Sequence, residues 1–417
     1  MIRAIEALNY RCLRYVRQDL DQFQVLVGPN GSGKSTFLDV ISLIGDIVDG
    51  GALGTFWERS PNFLDLVWMG QPAPVSLLIE LELPGDRRQR LRPQLDRARY
   101  QLTIGLDEAG ALSILHESLW LKPAEPVRVS TSTRQFPSSP TLPKGPFLQV
   151  SRARSRDWRR VVLKKRSEGK DYFSSETTSR KFVFRFGPQR PALASLPEDE
   201  ELFPAATWVK RALREGTTRL VLSSEAMKRP SRPGSPPGFN PDGSNLPWAI
   251  EELRRKNENG FRRWIDHLRT SLPGIETIDT VEREEDRHRY LRILYRTGLK
   301  APSWTVSDGA LRLLALTLIG YLESSGRIYL IEEPENGIHP QAVETVFQSL
   351  SSAYSDQILC ATHSPVLLAM AEPEQVLCFA QTPEGATDIV RGTEHPNLKD
   401  WKRSTDLGTL FATGILG

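Results

Sequence analysis

The chain has 417 residues, and its 54 Lys and Arg against 51 Asp and Glu leave a net charge of +3. With 39% hydrophobic and 25% charged residues it has the composition of a globular enzyme with a buried core, which excludes disorder over the whole chain and a strongly polycationic or polyanionic protein. The three cysteines form no C-x-x-C pair, so a disulfide framework and a cysteine zinc site are excluded as well.

The distribution of apolar residues indicates the cellular compartment in which we expect the protein. No run of 18 apolar residues occurs, and the start Met-Ile-Arg-Ala-Ile-Glu is not that of a signal peptide. We therefore expect a cytoplasmic protein whose partners do not include a membrane.

The predicted elements change in character along the chain. Residues 1–50 indicate strand, turn, strand, Gly-rich loop and helix, with a buried strand at 23–27 and a helix at 36–48. Residues 51–300 are irregular in pattern and rich in arginine. Their predicted elements are strands at 75–83, 100–106 and 181–186, and helices at 205–214 and 246–268.

Residues 301–417 return to a regular alternation of helices and strands. The predicted elements are a helix at about 309–323, a strand at 328–331, a helix at 340–353 and a strand at 357–361. Such alternation favours a mostly parallel sheet flanked by helices, and hence an α/β fold.

The strongest motif is a Gly-rich loop between the first buried strand and the following helix, which fits G-x-x-x-x-G-K-[ST] and continues one residue further. Its residues are Gly28, Pro29, Asn30, Gly31, Ser32, Gly33, Lys34, Ser35 and Thr36. The glycines let successive backbone N–H groups face an anion, and the helix N-terminus adds partial positive charge. Lys34 is expected to reach the β and γ phosphates of a nucleotide, and the Ser35 hydroxyl to bind Mg²⁺. The motif therefore predicts ATP and Mg²⁺ as cofactors.

An apolar strand at residues 328–331 ends in Glu332 and Glu333. A carboxylate at this edge of the sheet can hold the metal, while the next can orient the attacking water. We assign Glu332 to the metal and Glu333 to the water. After the next strand comes His363, which at the carboxyl end of a parallel strand could hydrogen-bond the γ-phosphate. His339 is interpreted as a turn or helix-start residue.

Ahead of the acidic strand, Ser307 and Gly309 stand at the start of an apolar helix. A serine, a small acidic residue and a glycine at a helix start make an anion-binding end, although each alone is an ordinary helix cap. The order of these motifs carries the information: phosphate loop, long insertion, Ser-Asp-Gly helix, strand ending Glu-Glu, then histidine.

That order resembles the ATPase head of the ABC superclass, in its SMC-like and OLD-like soluble branch, and is similar to AAA-type ATPases of bacterial defence and repair operons. The resemblance implies an ABC-ATPase-type P-loop fold with an antiparallel β subdomain and an inserted α/β lobe. It implies a homodimer in which Ser307 and Gly309 of one subunit cap the ATP held by the other. Arg11, in Asn-Tyr-Arg before the phosphate loop, corresponds to an element that touches phosphate. The Ser-Asp-Gly-Ala sequence departs from the transporter-type L-S-G-G-Q, and Glu332 stands where many P-loop enzymes have Asp.

The resemblance also suggests a division into domains. Residues 1–50 and 300–417 would pack together as the ATPase core, and residues 51–299 would form an inserted lobe with a basic region at about 150–170. The chain stops 54 residues after His363, so we expect any nuclease or toxin-like effector to be a separate polypeptide. Gln189 and Gln71 are the candidates for the glutamine that approaches the phosphates.

The partner and the reaction leave alternatives open. DNA is a candidate partner because arginines cluster at 87–92 and at 152–160, followed by basic residues at 164–166, although a solvated surface explains such clusters equally well. The function that we predict is a dimerising switch ATPase in anti-phage defence or DNA repair. The alternatives are a P-loop kinase or nucleotide transferase, and a scaffold that binds ATP but hardly hydrolyses it.

Overall fold

The structure is a computed structural model that describes residues 1–91, 93, 95–125, 134–143, 157–166, 171–234, 238–322, 326–398 and 407–412. The strands in these ranges are β1 (Ile2–Tyr10), β2 (Leu13–Asp19), β3 (Phe23–Val27), β4 (Val75–Glu82), β5 (Arg97–Leu106), β6 (Leu112–Lys122), β7 (Arg159–Lys165), β8 (Asp171–Ser174), β9 (Lys181–Phe184), β10 (Thr217–Leu220), β11 (Ile275–Glu282), β12 (Arg289–Tyr295), β13 (Lys300–Pro302), β14 (Ile328–Glu332), β15 (Gln357–Ala361), β16 (Val376–Gln381) and β17 (Thr387–Arg391).

The helices alternate with these strands. They are α1 (Lys34–Gly50), α2 (Ala52–Arg59), α3 (Gly85–Gln89), α4 (Pro204–Glu215), α5 (Ser224–Lys228), α6 (Leu246–Lys256), α7 (Glu258–Ser271), α8 (Asp308–Ile319), α9 (Pro340–Ser351), α10 (Pro365–Ala369) and α11 (Leu407–Ala412). Of the helices in the described ranges, none has the length and apolar character needed to cross a membrane.

The described residues form two compact units. Within the described ranges, the first unit takes in Met1–Asp21, Gly28–Thr217 and Leu377–Lys399, and the second takes in Gln22–Val27, Thr218–Val376 and Asp400–Gly417. The division into an ATPase core and an inserted lobe that the sequence suggested stays a prediction.

The first unit is built on an antiparallel eight-stranded sheet in the order β2-β1-β4-β5-β6-β7-β8-β9. The central strands pair over long ladders, with β4 and β5 in unbroken register from Val75 opposite Ile104 to Glu82 opposite Arg97. Apolar side chains of these strands, among them Leu77, Ile79 and Leu102, are completely buried. Burial of this apolar area is what holds the sheet against α1 and its neighbours.

The second unit contains strands in the order β10-β14-β15-β3, of which β14, β15 and β3 pair in parallel, beside a smaller antiparallel sheet of β11, β12 and β13. All five residues of both β3 and β15 are buried, as expected for strands covered on both faces. Helices α7, α8 and α9 contact one another. The ring of Phe23 meets that of Phe347 on α9 edge to face, with 5.5 Å between their centroids.

Most periodic elements lie where the sequence predicts them. The predicted strand at 357–361 coincides with β15, and the bounds of the helices predicted at 36–48, 205–214 and 340–353 differ from those observed by no more than two residues at either end. The helix predicted at 309–323 is shorter, because α8 ends at Ile319. The prediction of an α/β P-loop fold with an antiparallel β subdomain is confirmed.

The prediction of one helix at 246–268 is wrong. These residues form two helices, since Asn257 ends α6 and its side chain accepts the N–H of Gly260 as the cap of α7.

The strands predicted at 75–83, 100–106 and 181–186 coincide in large part with β4, β5 and β9 of the large sheet. Strands β6, β7 and β8 of the same sheet were not predicted. Strand β6 buries residues on both faces and so lacks simple alternation.

A buried carboxylate anchors the start of α4 in the first unit. Glu176 is 1% exposed and accepts hydrogen bonds from the N–H groups of Ala205 and Ala206, each at 2.7 Å. Burial outweighs these bonds and raises the pKa of Glu176 to about 7 from 4.5. The folded protein therefore holds this proton more tightly than the unfolded chain does.

Stability should depend on pH through this group. Below pH 4.5 the carboxyl is protonated in both states, and between pH 4.5 and 7 only the unfolded chain releases the proton, so the free energy of unfolding falls as pH rises. Relative to Glu176→Gln, the wild type should lose about 3 kcal/mol across this window, as measured by urea unfolding. The exposed substitution Glu108→Gln should leave the pH dependence unchanged. A wild type and a Glu176→Gln variant with parallel pH profiles would show that the carboxylate is already ionised.

Candidate functional site

Three parallel strands of the second unit end at one row of residues. Glu332 of β14 lies opposite Ala361 of β15, and Ala361 lies opposite Leu26 of β3. Beyond this row the chain continues to Glu333, to Thr362 and His363, and from Val27 into the Gly-rich loop. The carboxyl ends of parallel strands thus bring the acidic pair and the histidine to one edge of the sheet, the edge at which β3 also ends.

The Gly-rich loop belongs to the first unit and turns sharply into α1. Gly33 has φ 103°, and a Cβ on it would lie 2.3 Å from Thr387 Oγ1, so a side chain is excluded by both conformation and space. Pro29, Asn30, Gly31 and Ser35 are exposed, whereas Ser32 is buried. The N-terminus of a 17-residue helix follows directly, as an anion site requires.

Lys34 is the first residue of α1 and is 7% exposed. Its Nζ donates to the carbonyl oxygens of Gly28 at 2.7 Å and of Pro29 at 3.0 Å. These bonds hold the ammonium against the backbone at the start of the Gly-rich loop.

Arg11 lies in the tight turn between β1 and β2, with φ 48°. Its guanidinium is 3.8 Å from a carboxylate oxygen of Asp39 on α1 and lies 5.5 Å from the ring centroid of Tyr10. The adjacent Cys12 has its Sγ 3.1 Å from the position of a Cβ on Gly33, so this turn adjoins the phosphate loop.

The carboxylate of Asp39 binds the side chains around the turn between β1 and β2. Tyr10 and Arg59 both donate to its carboxylate, Arg59 from α2 at 3.0 Å. Burial tends to raise the pKa of Asp39, but the hydrogen bonds and charge of Arg59 hold it below its usual range. Asp39 is therefore ionised, and it holds Arg11 beside the loop.

Glu332, the predicted metal ligand, forms an ion pair in the second unit. Arg219 on β10 donates from Nη2 to its Oε1 at 2.6 Å. The side chains are 43% and 27% exposed respectively, so the attraction is screened by solvent and modest. This arginine could not be predicted as a partner of Glu332, because nothing in the sequence places β10 beside β14.

Glu333, the predicted water-orienting residue, is exposed and has φ 48°. Its backbone N–H donates to the carbonyl of Ala361 at 2.8 Å, which fixes the turn that ends β14. A positive φ at a residue with a side chain is strained and is frequent at functional sites. The strained turn directs the chain away from the sheet just after Glu332.

Glu335 is a third carboxylate at this edge, to which the sequence interpretation assigned no role. Its Oε1 accepts from Thr362 Oγ1 at 2.6 Å and from the N–H of His363 at 3.1 Å, while its Oε2 is buried without a hydrogen-bond partner in the described part of the chain. Thr362 in turn donates its N–H to the carbonyl of Leu26 at 3.1 Å. Glu335 therefore positions the segment that carries His363, which is half-buried.

The predicted anion-binding helix start has the expected cap. Ser307 precedes α8, is exposed, and accepts the N–H of Ala310 on its side chain at 3.4 Å. A Cβ on Gly309 would lie 2.6 Å from the carbonyl oxygen of Gly337, so the tip of α8 packs closely on the turn after β14. Lys228 pairs with Asp308 at 2.5 Å. Ser307 is left facing outwards from the unit.

Other predicted residues lie elsewhere. The carbonyl of Gln189 accepts the N–H of Ala52 just beyond the far end of α1, about 24 Å along the helix from Lys34. Gln189 is therefore not the glutamine that approaches the phosphates. Gln71 follows a segment whose Leu66 carbonyl bonds the N–H of Arg11, and it stays a candidate. His339 caps α9, which confirms its interpretation as a helix-start residue.

Where the structure describes the basic stretches, several of their side chains form hydrogen bonds and ion pairs within the protein. Lys164 is 2% exposed and donates to the carbonyls of Gly187 and Arg190, each at 2.7 Å. Arg166 pairs with Asp107, and Arg87 pairs with Glu200. Residues 152–156 and 92 lie outside the described residues. The described basic side chains thus favour a structural role over a nucleic-acid surface.

The two predicted magnesium ligands lie in different units, Ser35 in the first and Glu332 in the second. Within the described ranges, no group of three or more His, Cys, Asp or Glu side chains could hold a metal by itself. The hydroxyl of Ser35 and the carboxylate of Glu332 are hard oxygen donors, and Mg²⁺ commonly takes one or two such ligands besides phosphates and water.

The geometry defines a P-loop ATPase fold, and comparison with solved structures gives the same class. The chain is similar to an SMC head bound to the C-terminal winged-helix domain of ScpA, with 15% identity, a TM-score of 0.53, and 93% and 96% of the two chains covered. It is also similar to an SMC head domain with an extended coiled coil bound to the C-terminal domain of ScpA derived from Pyrococcus furiosus, with 13% identity, a TM-score of 0.51, and 100% and 98% covered. Both comparisons show a similarity of fold.

The family follows from the sequence itself. Residues 146–369, more than half of the chain, match the family described as "AAA domain, putative AbiEii toxin, Type IV TA system". The chain belongs to this family. Residues 1–46 match an AAA ATPase domain, which takes in the phosphate loop. Among curated proteins, none matches the sequence.

Removing the Glu335 carboxylate should destabilise the sheet edge. In Glu335→Ala the buried hydroxyl of Thr362 and the N–H of His363 lose their acceptor, so the free energy of unfolding should fall by about 1–3 kcal/mol. Glu335→Gln retains an acceptor oxygen and should lose less than half of that amount. Urea unfolding of the three proteins measures both differences. An alanine variant as stable as the wild type would contradict the anchoring role.

Proposed function

We propose that this protein is an ATP-binding and ATP-hydrolysing switch that dimerises around its nucleotides. The proposal rests chiefly on the row formed by Glu332, Ala361 and Leu26, where the acidic pair, the histidine and the start of the phosphate loop follow strands that end together. The family match and the SMC-head fold support the same class of activity.

The roles of the residues follow from their chemistry. Lys34 and the loop N–H groups bind the phosphates, and Arg11 adds a cation beside the loop. Ser35 and Glu332 hold Mg²⁺, which when bound neutralises phosphate charge. Glu333 orients the attacking water, and His363, placed by Glu335, hydrogen-bonds the γ-phosphate. Catalysis is then mainly positioning and charge neutralisation.

The dimer is supported by the tip of α8. Ser307 is exposed and caps a helix whose N-terminus carries partial positive charge, so it can meet an anion supplied from outside its own unit. In the proposed dimer, Ser307 and Gly309 of one subunit contact the triphosphate bound by the other. ATP binding closes the two subunits, and hydrolysis reopens them.

The setting that we propose is bacterial defence or repair in the cytoplasm, together with a separately encoded effector. Its support is the family description, which names a toxin and a type IV toxin–antitoxin system. DNA remains a secondary candidate partner, because the described basic side chains, such as Lys164 and Arg166, are taken up by internal contacts.

Replacing the water-orienting carboxylate separates binding from hydrolysis. Glu333→Gln should bind ATP as tightly as the wild type while its turnover falls about 100-fold or more, because the amide cannot activate water. Phosphate release and calorimetry of ATP binding measure the two quantities. Lys34→Ala should lose binding itself, and Glu225→Gln, a change at an exposed glutamate, should alter neither. Normal turnover in Glu333→Gln would contradict the assignment of Glu333 as the residue that orients water. Phosphate transfer to an added acceptor would favour the alternative of a P-loop kinase.

A matched pair at Ser307 tests the dimer. Aspartate and asparagine both cap helices as well as serine does, but only aspartate places a negative charge against the triphosphate. In the Glu333→Gln background with ATP and Mg²⁺, light scattering should give twice the 47.0 kDa protomer mass for Ser307→Asn. The same measurement should give the protomer mass for Ser307→Asp, with ATP still bound. A Ser307→Asp protein that dimerises like its asparagine partner would contradict the proposed dimer.

A further inference from the structure

The phosphate loop is contacted along its length by a hairpin from the other end of the chain. Strands β16 and β17 pair antiparallel from Leu377 opposite Arg391 to Gln381 opposite Thr387, and their turn faces the loop in the first unit. A Cβ on Gly28 would lie 2.1 Å from the carbonyl oxygen of Phe379, and the ring of Phe379 meets that of Phe37 at 5.6 Å. The hairpin therefore packs under both the start of the loop and the first turn of α1.

Two side chains of the hairpin bind carbonyl oxygens of the loop. Gln381 Nε2 donates to the carbonyl of Gly31 at 2.7 Å, and Thr387 Oγ1 donates to the carbonyl of Ser32 at 2.9 Å. Thr387 is completely buried and Ser32 nearly so, hence neither group of the second bond can turn to water instead. The backbone N–H of Thr387 also donates to the carbonyl of Cys12, in the turn that carries Arg11, at 2.9 Å.

Fixing these carbonyls fixes the N–H groups that follow them. The C=O and N–H of a trans peptide point in opposite directions, so the bond from Thr387 to the Ser32 carbonyl turns the Gly33 N–H away from the hairpin. The bond from Gln381 fixes the Gly31–Ser32 peptide, whose N–H donates within the loop to the Pro29 carbonyl at 3.2 Å, so this bond acts on the shape of the loop. A loop that binds phosphate through backbone N–H groups gains affinity when these groups are already oriented.

The hairpin is itself held from outside. Asp388, the neighbour of Thr387, accepts two bonds from the Arg134 guanidinium at 2.7 and 2.6 Å and one from the N–H of Ser138 at 2.8 Å. Because successive residues of a strand face opposite sides, Thr387 faces the phosphate loop while Asp388 faces this segment. Thr387 therefore lies on a strand whose opposite side is held by Arg134 and Ser138.

We propose that Thr387 and Gln381 are positioning residues that orient the backbone of the phosphate loop for a nucleoside triphosphate. The inference rests on the proposed nucleotide binding and adds to it the source of the loop's conformation. Neither residue is part of the Gly-Lys motif, and Thr387 lies 352 positions after Ser35 in the sequence.

The test compares variants that remove or keep the two hydrogen bonds. Thr387→Val has the shape of threonine without the hydroxyl and leaves the Ser32 carbonyl buried and unpaired, so its affinity for adenylyl imidodiphosphate with Mg²⁺ should fall about tenfold. Thr387→Ser retains the hydroxyl and should stay within about twofold of the wild type. Gln381→Leu, at an exposed position that folding tolerates, should weaken binding severalfold. Thr382→Val, buried in the same hairpin but bonded to its own turn, is the control and should bind normally.

Hydrogen exchange gives a second readout that needs no nucleotide. The amides of residues 28–35 should exchange faster in Thr387→Val and Gln381→Leu than in the wild type, with Thr387→Ser and Thr382→Val unchanged. Equal affinity and equal exchange in Thr387→Val and the wild type would overturn the inference, and so would a Thr387→Ser protein as weak as the valine variant. A wild type that binds no nucleotide would instead overturn the proposed function, while the exchange rates would still decide the role of the hairpin.

Discussion

The candidate site depends on the parallel register of three short strands. Because β14, β15 and β3 end at one row, residues more than 300 positions apart in the chain continue from the same edge of a sheet. A shift of one residue in either ladder would turn Glu332 or Leu26 to the opposite face. The buried apolar side chains of these strands fix that register, so the chemistry at the edge is a consequence of how the core packs.

Buried ionisable side chains hold the backbone of loops and of one helix start. Glu117 accepts the N–H groups of Ala192 and Leu193, Glu176 accepts those at the start of α4, and Glu335 accepts that of His363. Lys164 does the converse, donating to carbonyls of the segment that ends at Arg190. Burying a polar group is costly unless it is hydrogen-bonded, and here backbone groups supply these bonds. The same arrangement occurs at the sheet edge and far from it.

Elements that are defined by periodicity or turn residues within a short stretch could be predicted from the sequence. The predictions failed where the structure depends on contacts between distant residues. The strand at β15 and the loop before α1 have clear periodicity or turn chemistry. The break at Asn257 was missed because helical periodicity continues through it, and β6 of the large sheet was missed because it is buried on both faces. Within the site, Lys34, Glu332 and Glu333 came from motifs. The pairing of Arg219 with Glu332 and the contact of Thr387 with the loop depend on strand order and side-chain direction, which one sequence does not reveal.

The ion pair between Arg219 and Glu332 has a consequence for how the site would acquire its metal. Under the proposed role of Glu332, a divalent ion reaches a carboxylate that is already neutralised by a guanidinium 2.6 Å away. Under that role, binding would be an exchange of one cation for another, and the displaced guanidinium would remain on β10, the strand next to β14. Occupancy of the metal position would thereby change the charge that β10 presents.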